Sequence, residues 1–269
     1  MIRNVRGAWF LAVAALAGLL VPAQLTAQEP GSLPETKAPP PPALSPSGHP
    51  LNDYWIAHDK QLLSDFPWLA HFKEANLKLV PPAPGENRVV FMGDSITQAW
   101  KIEGPDGFFP GKPYINRGIS GQTAPQMVLR FRQDVIELKP KVVVILAGTN
   151  DIAGNTGPET PEQIEGYLAS MAELATANHI RVVLCSILPA YDYPWEPGLT
   201  PAPKIVALNK WLRAYATEHG DVYVDYHAAM KDDRDGLPAN LSKDGVHPLP
   251  AGYAIMTPLA EAGIEKALQ

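Results

Sequence analysis

A three-layer α/β/α sandwich around a mostly parallel five-stranded sheet is the fold class this 269-residue sequence predicts, and three observations carry it. The strand-like runs at 88–92, 113–116, 141–147, 181–188 and 222–225 are apolar almost throughout instead of alternating, as strands covered on both faces are. Segments of helical spacing separate them, the alternation that builds a parallel sheet with helices on its faces. Polar residues gather where the strands stop, at Gly93-Asp94-Ser95, Asn116-Arg117-Gly118 and Gly148-Thr149-Asn150-Asp151. In open α/β sheets that is the edge where ligands bind.

The elements follow in order. Residues 1–27 have the anatomy of an export signal: Arg3 and Arg6, an uncharged apolar stretch of 14 residues from Ala8 to Val21, then Pro22 and small residues. That stretch is shorter than the roughly 20 residues of a spanning helix, so a cleaved leader and an exported mature chain are expected. Loss of the leader takes the net charge from −6 to −8. Residues 28–50 turn to Pro, Ser, Gly and Ala, including four consecutive prolines at 39–42, and read as an extended linker. Residues 51–84 read as an N-terminal helical extension, two short helices broken near Pro67, with Leu62, Phe66, Leu69, Phe72 and Leu77 at loosely helical spacing. The main domain then runs over 85–269 with helices expected from Ser95, at 126–138, 161–177, 204–219 and 252–268 between and after the strands. The arrangement is flavodoxin-like.

Composition narrows the function. The acidic balance and the lack of a basic run after the first residues exclude a nucleic-acid surface and a polybasic membrane patch, leaving a small-molecule or neutral polymeric substrate. A single cysteine, Cys185, rules out an intramolecular disulfide and a thiolate zinc site, and its apolar surroundings make it a core residue.

The first strand delivers Ser95 to a strand-to-helix turn, where helical N–H groups lack intrahelical partners and favour negative charge. A serine hydroxyl needs a base to take its proton and donors to hold the charge that develops on its target. Ser95 N–H, Gly118 N–H and the Asn150 amide are three such donors at successive strand ends. Of seven histidines, His247 lies in a Gly-Val-His-Pro loop three residues after Asp244, a spacing that lets the carboxylate turn back onto the imidazole. Asp225 and His227 form a rival pair, at a strand end where an Asp is more commonly a cap. Asp94 and Asp151 read as acceptors for the N–H groups of their turns.

These residues carry a family resemblance. Gly93-Asp94-Ser95-Ile96, Gly118 within Asn116-Arg-Gly-Ile-Ser-Gly121, Gly148-Thr-Asn-Asp151 and Asp244-Gly-Val-His247 resemble, in order, four sequence blocks of the SGNH hydrolases of the GDSL esterase and lipase group. The resemblance implies a serine esterase with Ser95 as nucleophile, His247 as base, Asp244 orienting it, and Ser95, Gly118 and Asn150 as oxyanion donors. It implies no cofactor and no metal. Ile96 stands where the family name has leucine, and residues before 85 fall outside the motifs.

The loop 189–203, rich in proline, offers Tyr191, Tyr193 and Trp195 on the ligand side of the fourth strand, either to stack on a sugar or aryl group or to pack a long connection. Export, the acidic balance and the lack of a long hydrophobic lid make the expected substrate a small-molecule or glycan ester with a short acyl group such as acetyl. A lysophospholipase or aryl esterase, an acyltransferase and a silent glycan-binding module on the same scaffold are the alternatives. Nucleotide binding fails for want of a Gly-x-Gly-x-x-Gly after a strand, and the Gly-x-Ser-x-Gly elbow and a HExxH helix are missing too. The acidic cluster 232–236 has Lys231 and Ser242 at the first and twelfth positions of a calcium loop and reads as a solvated turn.

Overall fold

The computed structural model describes residues 53–100 and 107–269. The expected leader and proline-rich linker lie outside these residues. Five parallel strands form one sheet in the order β2-β1-β3-β4-β5: β1 Val89–Gly93, β2 Tyr114–Gly118, β3 Val142–Leu146, β4 Arg181–Cys185 and β5 Val222–Val224. The strands pair in register, with Gly93 beside both Gly118 and Leu146, so three strand ends meet at one level. The order reverses direction at β1, between β2 and β3, which opens a crevice at the carboxyl ends.

Alternate side chains of each strand enter two cores. Val90, Met92, Val143, Ile145, Val182 and Leu184 face α4 (Ala124–Asp134), α6 (Pro161–Ala177) and α7 (Ala202–His219). Val89, Phe91, Val142, Val144, Val183 and Cys185 face α9 (Pro250–Leu268) and the aromatic cluster around Trp100. Burial on both faces is why β1 and β3 read as unbroken apolar runs, and partial exposure of β2 and β5 marks them as edges. Cys185 is buried in the second core, and that burial pushes its thiol up to about 12.

Three short helices escaped the sequence pattern or were shorter than expected. α3 (Ser95–Gln98) is one turn, while α5 (Thr149–Ala153) and α8 (Tyr226–Met230) follow β3 and β5 directly. A single turn shows no amphipathic repeat, so periodicity cannot find it. The fourth strand ends at Cys185 rather than at 188, because β5 beyond it is only three residues long.

The N-terminal extension forms α1 (Asp53–Ser64) and α2 (Lys73–Lys78), and the break near Pro67 widens to the non-helical residues 65–72. No helix among the described residues is long and apolar enough to cross a membrane.

Candidate active site

Ser95 is held at the mouth of the crevice by the turn that Asp94 makes. The Asp94 carboxylate caps α3 by accepting the Ile96 N–H at 2.9 Å, which fixes Ser95 as the first helical residue. From the other end of the chain, the loop before α9 brings His247 to it: Ser95 Oγ and His247 Nε2 are 2.9 Å apart. His247 Nδ1 lies 2.7 Å from Asp244 Oδ2.

The Asp244 carboxylate is itself fixed. Its Oδ1 accepts the His247 N–H at 2.8 Å, the Val246 N–H at 3.0 Å and the Ser242 hydroxyl at 2.9 Å. Partial burial works to raise this carboxyl, but the N–H groups of His247 and Val246 and the adjoining imidazole outweigh it and bring it down to about 2. Gly245, at φ +79°, gives the left-handed turn that the three-residue return requires. The expected order Ser95, His247, Asp244 is thus a continuous hydrogen-bonded line.

A cavity of ≈ 320 Å³ opens onto this line, walled by Ser95, Ser120, Gly121, Asn150, Asn155, Trp195 and His247. Asn150 donates from Nδ2 to the Gln122 carbonyl at 2.9 Å, and its Oδ1 accepts from Asn155 Nδ2 at 3.0 Å. The second Asn150 N–H meets only Asp94 Oδ2, at 3.5 Å, the outer edge of a hydrogen bond. Asn155, which the sequence reading passed over, also donates to the Gly121 carbonyl at 3.1 Å, so it fixes both Asn150 and the 120–122 turn.

Gly118 does not join the group. It is the last residue of β2, its N–H is donated to Asn116 Oδ1 at 2.8 Å, and it faces a neighbouring cleft of ≈ 340 Å³ with His71 and Phe72. A Cβ there would stand 2.2 Å from the Gln98 nitrogen, so the glycine serves the close approach of β2 to the turn after β1. The second glycine of the same motif, Gly121, lines the cavity instead. Its φ is +78°, and its N–H is given to no protein acceptor among the described residues. The spacing placed the donor at the first glycine after the strand, whereas the strand continues through it.

Of the loop aromatics, Trp195 walls the cavity. It stacks on Tyr193 with centroids 5.0 Å apart and 13° between planes, and its centroid is 6.1 Å from that of His247. Tyr193 is fully buried beneath it. Tyr191 is elsewhere: half-exposed, its ring covered by the Arg234 guanidinium at 4.7 Å, and absent from the cavity wall. The proline-rich loop turns between the two, so residues four apart end on different surfaces.

The rival pair is separate as well. Asp225 caps α8 through the Ala228 N–H and pairs with Arg213, and His227 lines a different cavity with Arg213 and Lys231. Asp151 accepts the Ala124 N–H at 2.7 Å and so caps α4. No cluster of metal-ligating side chains occurs among the described residues.

Comparison with known proteins agrees with this architecture. The sequence profile described as the GDSL-like lipase/acylhydrolase family matches residues 91–255. An acetylxylan esterase of Geobacillus stearothermophilus is 27% identical over 210 residues, covering 66% of this chain and 94% of that one. The esterase TesA of Pseudomonas aeruginosa is 28% identical over 188 residues, 64% of this chain and 85% of the relative. Among solved structures, a GDSL-like lipase of Bacteroides thetaiotaomicron superposes with a TM-score of 0.72 at 47% identity, covering 76% of this chain and 100% of that chain.

Proposed function

We propose, for a chain that belongs to the GDSL-like lipase/acylhydrolase family, that it is an exported serine esterase removing short acyl groups from a glycan or similar alcohol. The observation that carries the reading is the line from Ser95 through His247 to Asp244, at 2.9 and 2.7 Å, opening on a cavity that Gly121 and Asn150 also line.

In this reading Ser95 Oγ attacks the ester carbonyl while His247 Nε2 takes its proton, and Asp244 keeps Nδ1 protonated and stabilises the imidazolium. The carbonyl oxygen becomes an oxyanion. The Ser95 N–H, the Gly121 N–H and the Asn150 N–H that has only the long Asp94 contact receive it, Gly121 taking the part expected of Gly118. His247 returns the proton to the leaving alcohol, then takes one from water, which attacks the acyl carbon and frees Ser95.

Acyl size follows from the cavity, whose ≈ 320 Å³ must hold the reacting carbonyl and part of the alcohol beside Trp195. A short acyl group fits that space, and the acetylxylan esterase among the relatives supports acetyl on a sugar. Trp195 would present its ring to the sugar or aryl face. Export rests on the leader-like residues 1–27.

Ser95→Ala is expected to abolish turnover of p-nitrophenyl acetate, leaving the melting temperature within a few degrees of the parent. Substantial residual turnover would remove the nucleophile from this reading. A panel of p-nitrophenyl esters of rising chain length, beside acetylated xylo-oligosaccharides, reads the acyl preference, and preference for long chains would overturn the short-acyl assignment.

A further inference from the structure

We infer that residues 53–84 are a built-in positioning element for the donor wall of the Ser95 cavity, acting through Gln122. The inference rests on the oxyanion reading above but concerns a segment outside the matched residues 91–255.

The connection between α1 and α2 is not helical, and its Phe66, Pro67 and Leu69 carbonyls accept no backbone N–H, so they are open to donors from elsewhere. Three glutamines of the α4 region use them. Gln122 Nε2 donates to the Pro67 carbonyl at 2.8 Å, Gln126 Nε2 to that of Phe66 at 2.5 Å, and Gln133 Nε2 to that of Leu69 at 2.8 Å. α2 adds a second anchor. Asn76 donates to Asp134 Oδ1 at 2.7 Å and accepts from Arg117 Nη2 at 2.7 Å, while the Arg117 guanidinium lies 4.6 Å over the Phe72 ring.

Both anchors converge on one buried network. Arg130 and Asp134 are fully buried and paired at 3.2 Å. Arg130 Nη2 donates to the Gly93 carbonyl at 3.1 Å, two residues before Ser95, and its Nε donates to Gln122 Oε1 at 2.5 Å. Gln122 is the hinge of the arrangement. Its side chain joins the extension to Arg130, its carbonyl holds Asn150, and the preceding residue is Gly121. Two of the three proposed donors are therefore fixed by a residue that the N-terminal extension clamps from outside. A fixed donor is worth more to a transition state than a mobile one, since no reorganisation is needed when charge appears.

The test uses the full-length chain. Gln122→Met keeps the bulk and loses both side-chain bonds; kcat for p-nitrophenyl acetate is expected to fall about tenfold, with KM within about twofold and the pH midpoint unmoved. Asn76→Ala loosens the clamp from the extension side, remote from the cavity. Amide hydrogen exchange at 66–78 should quicken, and kcat should fall in the same sense. Parental kcat in either folded variant, or unchanged exchange in Asn76→Ala, overturns the inference. Ser95→Ala run alongside separates the two readings: an active Ser95→Ala retires the esterase mechanism, whereas an inactive one beside an unaffected Gln122→Met retires only the positioning role.

Discussion

At Asp94 the strand-to-helix turn and burial pull in opposite directions. Burial raises its carboxyl to about 6, against the Ile96 N–H and the nearby imidazole, which favour the charged form. Because the folded-state value exceeds the ordinary 3.8, the folded protein holds this proton more tightly than the unfolded chain between about pH 4 and 6. The group's cost to stability is absent below that window and fully present above it, on the order of 1–3 kcal/mol. Asp94→Asn keeps an acceptor for the cap, and urea unfolding should show that share of the decline between pH 4 and 7 gone. Asp244 has the opposite sign, its value lowered to about 2, so its contribution is present above about pH 4 and lost as the pH falls through 2. For the two histidine pairs, His247→Ala should cost at least about a hundredfold in kcat on p-nitrophenyl acetate, while His227→Ala, in its separate cavity, should leave kcat within about threefold. A larger loss at His227 would reverse that ranking.

At the scale of elements, the close pairing of β1, β2 and α3 decides which glycine does what. A Cβ at Gly118 would meet the Gln98 nitrogen at 2.2 Å and the Asp94 carbonyl at 2.7 Å, both backbone atoms that cannot swing away. Gly118→Ala should therefore lower the melting temperature strongly, a loss of about 3 kcal/mol or more, and reduce activity only with the fold. Gly121→Ala is instead strained by φ +78° and should lose turnover out of proportion to stability. Thermal melts beside kinetics distinguish the two, and equal behaviour would mean that Gly121 offers no donor. The long elements were legible because each carries its own pattern: α6 spans Pro161–Ala177 as read, opened by Thr160 accepting from the Gln163 N–H. The end of β2 was not, since nothing local tells a glycine that ends a strand from one that begins the turn after it.

In the whole molecule, the Arg130–Asp134 pair, itself without solvent contact, ties α4, the extension and the carboxyl end of β1 into one network. Arg130→Met strands the Asp134 charge and should cost about 3–5 kcal/mol in urea unfolding. A loss below about 1 kcal/mol would mean that Asn76 and Gln133 suffice for Asp134. The pair is invisible to a periodicity argument, because polar residues on a helix are ordinarily assigned to its solvated face. Residues 65–78 hydrogen-bond along α4 beside the pair, at Gln133 and Asp134. By itself the sequence determined the parallel sheet and the helices long enough to repeat, and it named Ser95, Asp244 and His247 as candidates, since burial pattern and loop chemistry are written locally. Tertiary structure alone decided that Gly121 and not Gly118 borders the cavity, that Trp195 reaches it while Tyr191 does not, and that the extension braces its wall. Each of those depends on which surfaces meet between segments from about twenty to more than fifty residues apart, a distance over which spacing carries no directional information.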